Sequence, residues 1–219
     1  MKFSDKENPD FLLESIYLDN HLLALFKPAG LATQPDFHEW AKQWVKKRFS
    51  KPGGVFLEPI HRLDKPAEGI VLFARTSKAL SRLNLLIRAH QIEKTYRARI
   101  QGHLKEKQGI LDHFLFHDDF RAQVVFETHP EAKKAILFYH VLEENEKTTL
   151  IEISLKTGRY HQIRAQFSHM GHPILGDKKY GSSHNWQNEG IALCHTQMRL
   201  VHPVTHELLT LVLSQGALF

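Results

Sequence analysis

The spacing of apolar residues divides the chain into short strands and a few amphipathic helices. Ser15-Ile16-Tyr17-Leu18 and residues 22–26 have strand length and composition, and Asp19-Asn20-His21 joins them as a turn. Over 37–49 the apolar positions change to helical spacing. Trp40, Ala41, Trp44, Val45 and Phe49 then share a face, and Lys42, Lys46, Lys47 and Arg48 take the rest. Lys51-Pro52-Gly53-Gly54 ends that element. Residues 70–74 are apolar without a break, the pattern of a buried strand. A second helix is predicted over 77–90 with Leu80, Leu83 and Ile87 inward. Residues 93–101 alternate, which puts Lys94, Tyr96, Ala98 and Ile100 on one face and Thr95, Arg97 and Arg99 on the other.

Strand patterns then dominate, over 110–116, 122–126, 136–142 and 150–155, with His117-Asp118-Asp119 as a turn between the first two. A third helix is predicted over 160–170, ended by Gly171. It buries Ile163, Phe167 and Met170 and carries Arg164 at the edge of that face. Residues 181–189 read as a polar loop, and 191–193 and 208–213 as the last strands. Residues 1–14 are polar and read as an irregular segment. Many strands with three helices, not regularly interleaved, predict an α+β fold.

Composition narrows the function classes only a little. The chain has 219 residues, 42% of them apolar, enough for a sizeable core. A net charge of +5 suits a polyanionic partner without requiring one. Cys194 is the single cysteine, so no internal disulfide can form, and it follows an apolar run as a small core residue would. The first residues have no apolar signal region and no stretch approaches membrane-spanning length, which predicts a cytoplasmic chain away from membranes. The 16 histidines invite a metal site, with His169 and His172 three apart. A single cysteine, no His-Glu-x-x-His and no carboxylate cluster argue against a metal-dependent hydrolase, and no metal or cofactor is expected.

The candidate chemistry lies just before the 70–74 strand. His61-Arg62-Leu63-Asp64-Lys65 is a polar cluster closed by Pro66 and Gly69, so Asp64 sits on a loop fixed by a core strand. Arg62 and Lys65 flank it with positive charge; from these residues alone the cluster reads first as a loop ion pair and only second as a reactive site. Lys42, Lys46, Lys47, Arg48 and Lys51 form a second basic cluster, either a solvated helix surface or a phosphate-contacting patch.

The 61–69 segment resembles the central motif of the RluA-like RNA pseudouridine synthases, His-Arg-Leu-Asp, two variable residues, Thr-Ser-Gly, then an apolar strand. His61, Arg62, Leu63, Asp64 and Gly69 match; Ala67 and Glu68 stand where the family usually has Thr and Ser. Further segments match in the family's order. They are Lys27-Pro28-Ala29-Gly30-Leu31, Glu93-Lys94-Thr95-Tyr96, and Thr157-Gly158-Arg159-Tyr160-His161-Gln162-Ile163-Arg164. The last of these continues into Gly171-His172-Pro173-Ile174-Leu175-Gly176-Asp177 and Tyr180-Gly181, and His202-Pro203-Val204-Thr205 closes the series. The matches span 27–205.

The resemblance implies one synthase domain over 15–219, with a mixed, mostly antiparallel central sheet, flanking helices and a central RNA-binding cleft. About 26 residues precede the first motif, too few for the small N-terminal RNA-binding domain of many relatives. The implied activity isomerises specific uridines of tRNA or ribosomal RNA by base flipping, with no cofactor, and a monomer is expected. Asp64 would break the N-glycosidic bond, Arg164 would pair with it, and Tyr96 would stack on the base and serve proton transfer. Arg62 would enter the space left by the flipped uridine, with His61 packing the loop and Ile163 and Leu175 forming pocket wall. Lys46 and Lys47 belong to the candidate RNA patch. Glu68 adds a negative charge near Asp64, and Ala67 cannot bond the turn's backbone as Thr would. The alternative is an RNA-binding relative with impaired catalysis.

Overall fold

The computed structural model describes residues 15–187 and 190–213; the irregular segment expected over 1–14 lies outside them. They form two compact units. Of the described residues, the first comprises 15–92 and 197–213, and the second those between Glu93 and Thr196.

In the first unit β1 (Ser15–Leu18) pairs antiparallel with β2 (Leu22–Lys27), and β2 with β4 (Glu68–Ala74). The turn between β1 and β2 is closed by Asp19, whose Oδ1 accepts the His21 and Leu22 N–H groups at 2.7 and 2.6 Å. Residues 22–25 and 70–74 are fully buried on both sheet faces, which is why both runs are apolar without alternation. The two-residue strand β3 (Glu58–Pro59) also pairs with β4. α1 (His38–Arg48) buries His38, Ala41 and Val45; Trp40 and Trp44 are half-buried, and Phe49 is exposed under the Arg75 guanidinium instead of sharing the buried face. α2 (Ser77–Arg88) starts where Thr76 Oγ1 accepts the Ala79 N–H, an N-cap. It buries Ala79 and Leu83, with Leu80 and Ile87 half-buried.

The second unit is an antiparallel sheet in the order β5 (Glu93–Gln101), β9 (Thr148–Leu155), β8 (Lys133–Glu144), β6 (Gln108–His117), β7 (Ala122–Val125). β5 alternates as predicted, with Tyr96, Ala98 and Ile100 buried. α3 (Gln162–His169) is buried from Gln162 through Phe167, but Met170 lies past its end and is 45% exposed, so it does not extend the core face. The last strands also differ from the prediction. β10 (Leu193–Val201) begins two residues later and runs eight further than the apolar triplet, beginning in the second unit and ending in the first, where it pairs with β11 (Leu208–Val212). Antiparallel ladders with three α-helices among the described residues make this an α+β fold, as the pattern predicts.

Candidate active site

Asp64 sits on a turn that neighbouring segments hold from outside. Within the turn, the Ala67 N–H bonds to the Asp64 carbonyl at 3.0 Å. Thr33, itself buried, grips the preceding residue twice: its Oγ1 accepts from the Leu63 N–H and donates to the Leu63 carbonyl, both at 3.0 Å. The Gly30 N–H donates to the Lys65 carbonyl at 2.9 Å, and Gly30 has φ +88, a left-handed conformation that glycine adopts without strain. His61 Nε2 accepts the Leu72 N–H at 3.2 Å. Arg62 is exposed and Asp64 half-buried.

Lys27 is 0% exposed, and its Nζ donates to the Pro28 and Leu31 carbonyls at 2.8 Å each and to the Lys65 carbonyl at 3.4 Å. Burial lowers its pKa to about 8, against the opposing charges of Asp64 and Glu68. Glu68 opens β4 one residue before Gly69, the register partner of Lys27. Burial pushes the Glu68 carboxyl above its usual range, and the Lys27 charge pulls it back only in part. No local pattern marks the roles of Lys27 and Thr33, because each acts on a residue thirty or more positions away.

In the second unit Tyr96 is 8% exposed and stacks on His195, with centroids 4.6 Å apart and planes 21° apart. Lys94, on the same face, is held below the usual lysine range by burial. Arg164 is 4% exposed and is not a surface-edge residue. Its Nε and an Nη donate to the two carboxylate oxygens of Asp177 at 2.7 and 2.9 Å, and its guanidinium lies 4.9 Å from the Tyr180 ring centre. A bidentate pair of this kind fixes the guanidinium plane. Asp177 is in turn fixed by its backbone, which accepts the Tyr180 and Ser182 N–H groups.

The start of α3 is built by its own motif. His161 caps it at φ +50. Gln162 Oε1 accepts from Thr157 Oγ1 and the Arg159 N–H, and its Nε2 donates to the Ile136 carbonyl. Tyr180 Oη accepts the Ala122 N–H and lies 2.9 Å from His161 Nδ1, while Tyr160 stacks on His161. Ile163 and Leu175 are buried, and Leu175 is pinned by its N–H to the Arg99 carbonyl and its carbonyl to the Ala192 N–H. Asp177 and Tyr180 lay inside a matched segment, but spacings of thirteen and sixteen residues across a loop gave no hint that they hold Arg164.

Lys46 and Lys47 are exposed on the last turn of α1 with Arg48; Lys42 pairs with Glu39 at 3.1 Å. His169 packs against His113, and His172 Nδ1 lies 2.9 Å from the Gln101 carbonyl, so this spacing pair goes to separate partners. Among the described residues no group of three or more His, Cys, Asp or Glu is arranged to hold a metal ion, and no helix is long and apolar enough to cross a membrane.

Residues 21–169 match the family described as RNA pseudouridylate synthase, and the chain belongs to that family, in its RluA-like branch as the motifs indicate. It is 34% identical to tRNA pseudouridine synthase C of Vibrio parahaemolyticus, over 89% of this chain and 87% of that protein. It is 33% identical to the dual-specificity RNA pseudouridine synthase RluA of Pasteurella multocida, over 92% of each. Among solved structures, the human RNA pseudouridylate synthase domain containing 4 has the same fold, with a TM-score of 0.77 over 91% of this chain and 87% of that one, at 24% identity.

Proposed function

We propose that this RNA pseudouridine synthase acts on particular uridines of tRNA or ribosomal RNA, with Asp64 as the residue that carries the chemistry. The observation that supports this best is the joining of two separated motifs. Lys27 and Gly30 of the first both bind the Lys65 carbonyl in the second, so the matched residues exist to build the turn that presents Asp64. The reaction breaks the bond between uracil N1 and ribose C1′, turns the base, and joins C5 to C1′. The C5 proton leaves for solvent and N1 gains one, so atoms balance within the nucleoside. Asp64 supplies the carboxylate that triggers bond breaking. Tyr96 stacks on the base and serves proton transfer, and Arg164 supplies the cation that serves the same step. Arg62, exposed beside Asp64, fills the place of the flipped uridine, and Ile163 and Leu175 provide apolar wall. Residues 15–219 act as one catalytic domain.

Mapping pseudouridines in tRNA and ribosomal RNA from cells with and without the gene tests this. One or a few sites lost on deletion, and restored by wild-type protein but not by Asp64→Asn, is the expected result. Unchanged maps in both RNAs contradict it and favour the reading as an RNA-binding relative with impaired catalysis.

A further inference from the structure

We propose that Lys27 is a positioning residue for Asp64, its one buried ammonium tying the turn after β2 to the Asp64 turn and offsetting the Glu68 carboxylate. This rests on the function proposed above. Three carbonyls converge on Lys27 Nζ, from Pro28, Leu31 and Lys65, the last belonging to the residue directly after Asp64. A fully buried lysine is costly and seldom kept for packing alone. The charges that act on it are Asp64 from the turn and Glu68 from the start of β4, and both favour its protonated form. Glu68 stands in the turn where the motif usually has serine. A second negative charge beside the reacting carboxylate would repel the developing charges of the step, and the buried ammonium is the group placed to cancel it. When Lys27 loses its proton, the turn keeps a neutral amine on the carbonyls and Asp64 is left with an unbalanced neighbour. Burial puts that loss near pH 8.

The consequence is a rate that falls on the alkaline side for a reason separate from RNA binding. In single-turnover assays on target RNA, Lys27→Met lowers the rate constant by about 10- to 100-fold, the size expected of a misplaced reacting group. Its RNA affinity stays within about threefold, because affinity rests on phosphate contacts. The alkaline limb expected of wild type, with its midpoint near the Lys27 pKa of about 8, should be missing from its pH profile. Glu68→Gln, a milder change, removes one charge that keeps Lys27 protonated, so the alkaline midpoint moves down. A folded Lys27→Met with the wild-type rate and profile overturns the proposal. If that variant does not fold, an unmoved midpoint in Glu68→Gln overturns it. The direct readout is an NMR titration of the Lys27 side chain in the free protein, which needs no activity. Asp64→Asn and Glu68→Gln should each lower its midpoint, and a midpoint unmoved in both overturns the proposal. Wild-type protein without activity on any RNA would instead overturn the functional reading, and the titration still decides this one.

Discussion

Glu68 places a second carboxyl in the turn that carries Asp64, raised by burial and pulled back only in part by the Lys27 charge. Because its folded pKa lies above the ordinary 4.5, its favourable contribution is complete below that value and is lost as pH rises through the folded pKa. Glu68→Gln should therefore raise the melting temperature at pH 7 and leave it nearly unchanged at pH 4. Equal effects at both values, measured by calorimetry, would mean that the carboxyl is solvated. Asp64 itself was legible, since a polar cluster closed by Pro66 and Gly69 before an apolar run is a local signal. Thr33, Lys27 and Asp177 were not, because hydrogen bonds between distant segments leave no local pattern.

Among the elements, β5 and β4 read correctly because each presents one clear period, alternation in the first and an unbroken apolar run in the second. The apolar pattern stops at Leu193 although β10 continues, because the continuation includes His195, Thr196 and Gln197, polar residues that a buried strand retains only when neighbours satisfy them. Thr196 Oγ1 donates to the Thr95 carbonyl, and His195 is stacked by Tyr96. For α1 the spacing identified the helix, but its basic last turn has two explanations, since Lys46, Lys47 and Arg48 also complement the helix dipole. RNA binding separates them. If Lys46 and Lys47 each neutralise a phosphate, replacing both by Ala reduces the slope of log affinity against log salt by about 1.5. An unchanged slope would assign this turn to solvent.

For the whole molecule, fold class and family were both legible, for different reasons. The irregular order of strand and helix patterns excluded a doubly wound sheet, and five motifs in one order along most of the chain identified the synthase family, which the match over 21–169 bears out. What no pattern could give is the division into two compact units, because the boundaries fall at Ile92 and within β10, without a change in composition or a linker. The assignment of Asp64 is the claim on which the mechanism stands, and release of tritium from C5-labelled uridine tests it most directly. Wild-type protein should release tritium from its target RNA with or without a chelator. Asp64→Asn should release none while keeping its fold and its RNA affinity, since the amide keeps the shape but not the charge or nucleophilicity. Undiminished release by folded Asp64→Asn would contradict the assignment and the mechanism with it.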